Sequence, residues 1–158
     1  MSKFFKIVVF LVIFFSGKSL IVQAQRTLPT GLYLVTNNKG ARYFDSVYRK
    51  NIFLNPAPIC SIKDIKQAKI DFNEQRKPVI TIIFNDTGKD RFAKATKKYK
   101  GKRIAILVNN KIVSVALVRE AIYNGRVTIA GAYSLAEADY IAKRIQQEVE
   151  LTNKVNRK

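Results

Sequence analysis

The sequence predicts a single α+β domain, a mostly antiparallel sheet packed with two or three helices. Three observations carry that prediction. Residues 78–84 (PVITIIF) form the most strand-like run in the chain, β-branched and aromatic with proline only at its edge. Two stretches, following Asn85 and Ser134, carry apolar residues at helical spacing. The remainder alternates and turns at short intervals, without repeat or long linker. At 158 residues, 47% hydrophobic and 25% charged, the chain has material for one core of ordinary size.

The elements follow in order. Residues 1–24 read as a signal peptide: Lys3 and Lys6, an apolar run over 7–15 (IVVFLVIFF), the breakers Ser16 and Gly17, and a cut after Ala24. Lys18 interrupts the run short of the roughly 20 residues a membrane span needs. The exported chain is therefore expected to be soluble and not membrane-spanning after cleavage. Residues 25–53 read as an N-terminal extension with strands at 31–36 and, returning from the turn at 37–40, at 41–48. Asn55-Pro56-Ala57-Pro58 breaks the chain. Ser61 and Asp64 suggest a cap on a short helix over 62–68, and residues 69–73 alternate as a half-buried strand.

After the strand at 78–84, Asn85-Asp86-Thr87 offers capping side chains. Phe92, Thr96 and Tyr99 then mark the inner face of a helix ended by Gly101. Residues 103–108 and 112–118 flank Asn109-Asn110-Lys111 as a hairpin, since asparagine tolerates positive φ. A strand is expected over 127–133. Ser134 and Glu137 spell a capping box for a last helix, whose inner face carries Leu135, Ala138, Ile141, Ala142, Ile145 and Val149. Residues 151–158 read as a frayed basic tail.

Composition excludes much chemistry. The chain has no His, so it lacks the commonest general base and metal ligand, and its one Cys builds neither an internal disulfide nor a thiolate zinc site. No calcium loop or phosphate loop is present: Gly101-Lys102-Arg103 lacks the upstream glycine and following hydroxyl. No cofactor, no metal and no enzymatic activity are expected. The full chain carries 29 basic and 11 acidic residues; cleavage after Ala24 leaves 26 against 11, a net +15. Outside the cytoplasm such charge points away from nucleic acid and toward anionic lipid headgroups or acidic polymers.

From Leu54 onward the residues resemble the periplasmic head subdomain of SecD and SecDF, components of the bacterial protein-export machinery. Leu54-Asn55-Pro56-Ala57-Pro58-Ile59 with Asp64-Ile65 and Ala68 is similar to the family's entry segment. Residues 78–84, then Gly88, Phe92-Ala93 and Thr96, resemble its strand and following helix. Residues 103–108 and 110–114 resemble its hairpin, although Val115-Ala116 stands where the family usually carries Ala-Pro. Gly125, Ile129-Ala130-Gly131 and Glu137-Ala138 resemble its closing strand and helix. The resemblance implies an SecD-head-like domain over 54–150. It also implies a periplasmic or secreted binding module for protein or extended peptide in the envelope. Proton-driven pulling, which the family assigns to its membrane part, is not expected of this chain.

Two surfaces are candidates. Lys89, Arg91, Lys94, Lys97, Lys98, Lys100, Lys102 and Arg103 form the densest positive stripe and the best anion-binding candidate. Tyr33, Tyr43, Phe44 and Tyr48 lie among Arg42, Arg49 and Lys50, a mixture suited to an interface and equally to an ordinary sheet face. Asp86 and Asp90 read as helix-start acids. Cys60 reads as a buried thiol or, if exposed, a link between two chains.

Overall fold

The computed structural model describes residues 27–157 except positions 47, 48 and 132, so the signal-peptide expectation and Tyr48 lie outside the described residues. The strands are β1 (Gly31–Thr36), β2 (Ala41–Asp45), β3 (Lys50–Leu54), β4 (Cys60–Ser61), β5 (Ile65–Phe72), β6 (Pro78–Phe84), β7 (Arg103–Val108), β8 (Lys111–Leu117) and β9 (Arg126–Ile129). A single 3-10 turn, Ile62–Asp64, precedes β5, and the helices are α1 (Asp86–Lys98) and α2 (Leu135–Val155).

Two antiparallel sheets result. The larger runs β2-β3-β1-β7-β8, with β4 beside the first half of β1; the smaller runs β5-β6-β9. One face of the larger sheet supplies Leu32, Ile104, Ile106 and Val108 to the main core. There they meet Ile80, Ile82, Phe84 and Ile129 of the smaller sheet, Phe92 of α1, and Ala138, Ala142, Ile145 and Val149 of α2. The other face supplies Tyr33, Ala105 and Leu107 to a second core, closed by Leu28, Ala41, Tyr43, Ile52 and Leu54. β7 is thus buried on both faces, as its unbroken apolar run RIAILV requires.

Several local expectations hold. β6 spans the predicted residues, Asn85 caps α1 by accepting from the Gly88 amide at 2.9 Å, and Ser134 and Glu137 form the capping box of α2. Asn109 and Asn110 take φ of 47° and 62° in the hairpin turn.

Others are corrected. The segment at 41–45 does not return along β1; it pairs with β3, a strand the sequence reading missed, and β3 lies between them. The helix expected over 62–68 is one 3-10 turn, after which the chain pairs with β6 in register Ala68 with Ile82 and Ile70 with Ile80. Pairing with so strong a strand outweighs the local cap. The strand expected over 127–133 ends at Ile129, and α2 runs through Val155 into the residues read as a tail. Leu135 is exposed, not inward.

Candidate functional site

The aromatic group divides. Tyr33 is 0% and Tyr43 5% exposed, so the interface expected of them is corrected: both point into the second core. Their hydroxyls are used internally. Tyr33 donates to the Pro29 carbonyl at 2.7 Å; Tyr43 accepts from the Leu28 amide at 2.7 Å and donates to Asn110 Oδ1 at 2.9 Å. Alternation explains the split, because Phe44, next along β2, is 60% exposed.

An apolar crevice of about 260 Å³ opens where the two sheets part. Ala116, Leu117 and Val118 line it on one side and Ile122 and Val127 on the other, with the exposed Arg119 and Glu120 at its rim and Leu32, Phe92, Thr96, Ile104 and Ile106 also lining it. Backbone groups border it. Val118 donates to the Lys102 carbonyl at 2.8 Å, and the Gly101 amide donates to Val118 at 2.8 Å. Strand alternation then turns the amides and carbonyls of Val115 and Leu117 away from β7. Among the described residues β8 pairs only with β7 and β9 only with β6. Leu117 is 52% exposed. The Ile122 side is fixed by Thr96, whose buried hydroxyl donates to the Phe92 carbonyl at 2.8 Å and accepts from the Ile122 amide at 2.9 Å. Further along β8, Tyr133 donates its hydroxyl to the Val113 carbonyl, and burial raises its phenol above the usual range.

The sequence reading missed this crevice. Its residues come from five separated segments, and only Leu117, an exposed leucine on a strand edge, is a local signal.

The basic stripe is exposed throughout, as expected, but is not one surface. Lys89 leans the other way: a Cβ on Gly125 would lie 3.1 Å from Lys89 Cγ. Arg91, Lys94 and Lys98 instead line a cleft of about 340 Å³ with Leu34, Asn55, Ala57, Pro58 and Ile59. Arg91 Nη1 donates to buried Asp64 Oδ2 at 3.4 Å, where Asp64 also accepts from the Ser61 amide at 2.8 Å. The Lys98 ammonium stands 5.4 Å from the Tyr99 ring centre.

Cys60 is fully buried, its thiol 3.7 Å from the Gly88 carbonyl. Burial, with a lesser contribution from Asp64 and opposition from Arg91, pushes the thiol up to about 12. The link between chains considered for an exposed Cys60 is thereby corrected. Among the described residues no three His, Cys, Asp or Glu side chains cluster as metal ligands, and no helix is long and apolar enough to cross a membrane.

Two antiparallel sheets and two helices, with a crevice between the sheets and a second cleft on α1, make this a small α+β domain. Residues 35–148 match the model of SecDF, P1 head subdomain, and the chain belongs to that family. The match takes in β2 and β3, which the resemblance seen from Leu54 did not include. The chain is 35% identical over 80 residues to the SecD translocase subunit of Acidaminococcus fermentans, covering 51% of this chain and 19% of that protein. With the SecD subunit of Rickettsia prowazekii it shares 28% over 118 residues, 73% of this chain and 21% of that one. It spans about a fifth of the length of either relative. A solved SecDF, described as a membrane component that enhances protein export, superposes with a TM-score of 0.58 at 20% identity, covering 78% of this chain and 63% of that one. That likeness confirms the α+β head fold.

Proposed function

We propose that the chain is a non-enzymatic binding module of protein export that works in the cell envelope and holds extended polypeptide as an added strand. The observation that carries this reading is the edge of β8. The outward amides and carbonyls of Val115 and Leu117 stand beside an apolar crevice, the combination that strand addition uses for affinity and side-chain choice. Family membership supports the export context, and the absence of histidine supports action by binding alone. An export signal over residues 1–24 fits the same setting.

The test is fluorescence anisotropy with a labelled apolar decapeptide and its counterpart N-methylated on alternate amides. Strand addition predicts a loss of about tenfold or more on methylation, since each backbone hydrogen bond contributes about 0.5–1.5 kcal/mol. It also predicts that binding persists at about 0.5 M salt, where the screening length is roughly 4 Å. Equal affinity for both peptides, or loss of binding in salt, would sink the reading.

A further inference from the structure

The cleft on α1 shares no lining residue with the crevice, and its chemistry is different. Within residues 89–103 eight cations stand against one carboxylate, Asp90. Of those cations only Arg91 has a carboxylate partner among the described residues. Arg91, Lys94 and Lys98 recur at i, i+3 and i+7, which aligns them along one flank of the helix. The facing wall of the cleft is apolar, formed by Leu34, Ala57, Pro58 and Ile59. Lys97, Lys100, Lys102 and Arg103, all exposed, extend the positive surface beyond it.

We propose that this flank of α1 docks on anionic phospholipid, the headgroup phosphate held by Lys94 and Lys98 and the glycerol edge against the apolar wall. Charge complementarity chooses the occupant. A row of cations on one flank, in which neither Lys94 nor Lys98 has a carboxylate partner among the described residues, facing an apolar wall across a shallow cleft, suits a sheet of negative headgroups. A folded acidic ligand would meet its charge at one point. Arg91, anchored on Asp64, fixes one end of the row.

The experiment sediments the full chain with phosphatidylcholine vesicles, with or without phosphatidylglycerol, and compares K94E/K97E/K98E. The readout is the excess binding that phosphatidylglycerol adds, so any uptake through the apolar segment at 7–15 cancels. The expected result is a loss of that excess of roughly 100-fold for three lysines, with the thermal melt and decapeptide binding unchanged. Undiminished excess in the variant overturns the proposal. So does polyglutamate that binds through the same lysines and displaces the vesicles, which would assign the surface to acidic polymers. Displacement by inorganic phosphate at matched ionic strength would likewise assign it to the free ion. Should the triple variant melt early, K94Q/K97Q/K98Q carries the same comparison.

Discussion

Cys60 lies under the start of α1, and its environment makes a pH-dependent prediction. The fold holds the thiol neutral, raising it from 9.0 to about 12, and burial does the same to Tyr33, raising it from 10.0 to about 12. A group raised on folding stabilises the native state fully below its unfolded value and loses that contribution as pH climbs toward the folded one. Denaturation midpoints should therefore fall from about pH 9 upward. Cys60→Ala should flatten the part of the fall that begins near 9, and native Cys60 should resist aromatic disulfide reagents at about pH 8. Rapid native labelling would contradict the burial. At this scale some residues were legible and others not. Gly88 was picked out by the family pattern, and the structure supplies its reason: a Cβ there would lie 2.2 Å from the Asp64 carbonyl oxygen. Tyr33 and Tyr43 were not legible as core, because alternation tells which residues share a face but not that both faces are covered.

The hairpin of β7 and β8 carries the edge proposed to bind polypeptide. Asn110 serves it twice, by taking φ 62° and by accepting from the Tyr43 hydroxyl. Asn110→Ala should destabilise by about 1–3 kcal/mol, combining left-handed backbone strain with a buried hydroxyl left without its acceptor. Asn110→Gly relieves the backbone and should retain a deficit of about 0.5–1.5 kcal/mol. Denaturant melts of both variants check this, and an unperturbed Asn110→Ala would refute it. The hairpin, β6 and both helix starts were readable because each is written locally, in turn asparagines, β-branched residues and capping side chains. The segment at 62–72 was not, since its cap is genuine but its conformation is set by β6, which lies beyond it in sequence. β3 was missed for a similar reason. Lys50–Leu54 has burial on alternate residues only at Ile52 and Leu54, and it becomes a strand by lying between β1 and β2.

At the scale of the whole molecule, the two sheets meet in one core yet leave β8 and β9 unpaired on their outer sides among the described residues. Burial of β7 on both faces removes the middle of the larger sheet from contact with a partner and leaves its edges and the crevice. The basic flank of α1 lies on other residues, so the two proposed ligands would not compete for lining side chains. Neither arrangement could be read along the chain, because crevice and cleft are each assembled from segments that only the fold brings together. The fold class and family, by contrast, were evident from the order and spacing of short patterns.

Extended polypeptide is proposed to add to the edge of β8. Amide hydrogen exchange, followed residue by residue with and without the apolar decapeptide, addresses it most directly. The Val115 and Leu117 amides should exchange quickly in the free protein and become protected with peptide, while Ala116, already paired with Ile104, changes little. Protection confined to the 55–59 loop and α1, with Val115 and Leu117 unaltered, would contradict the claim.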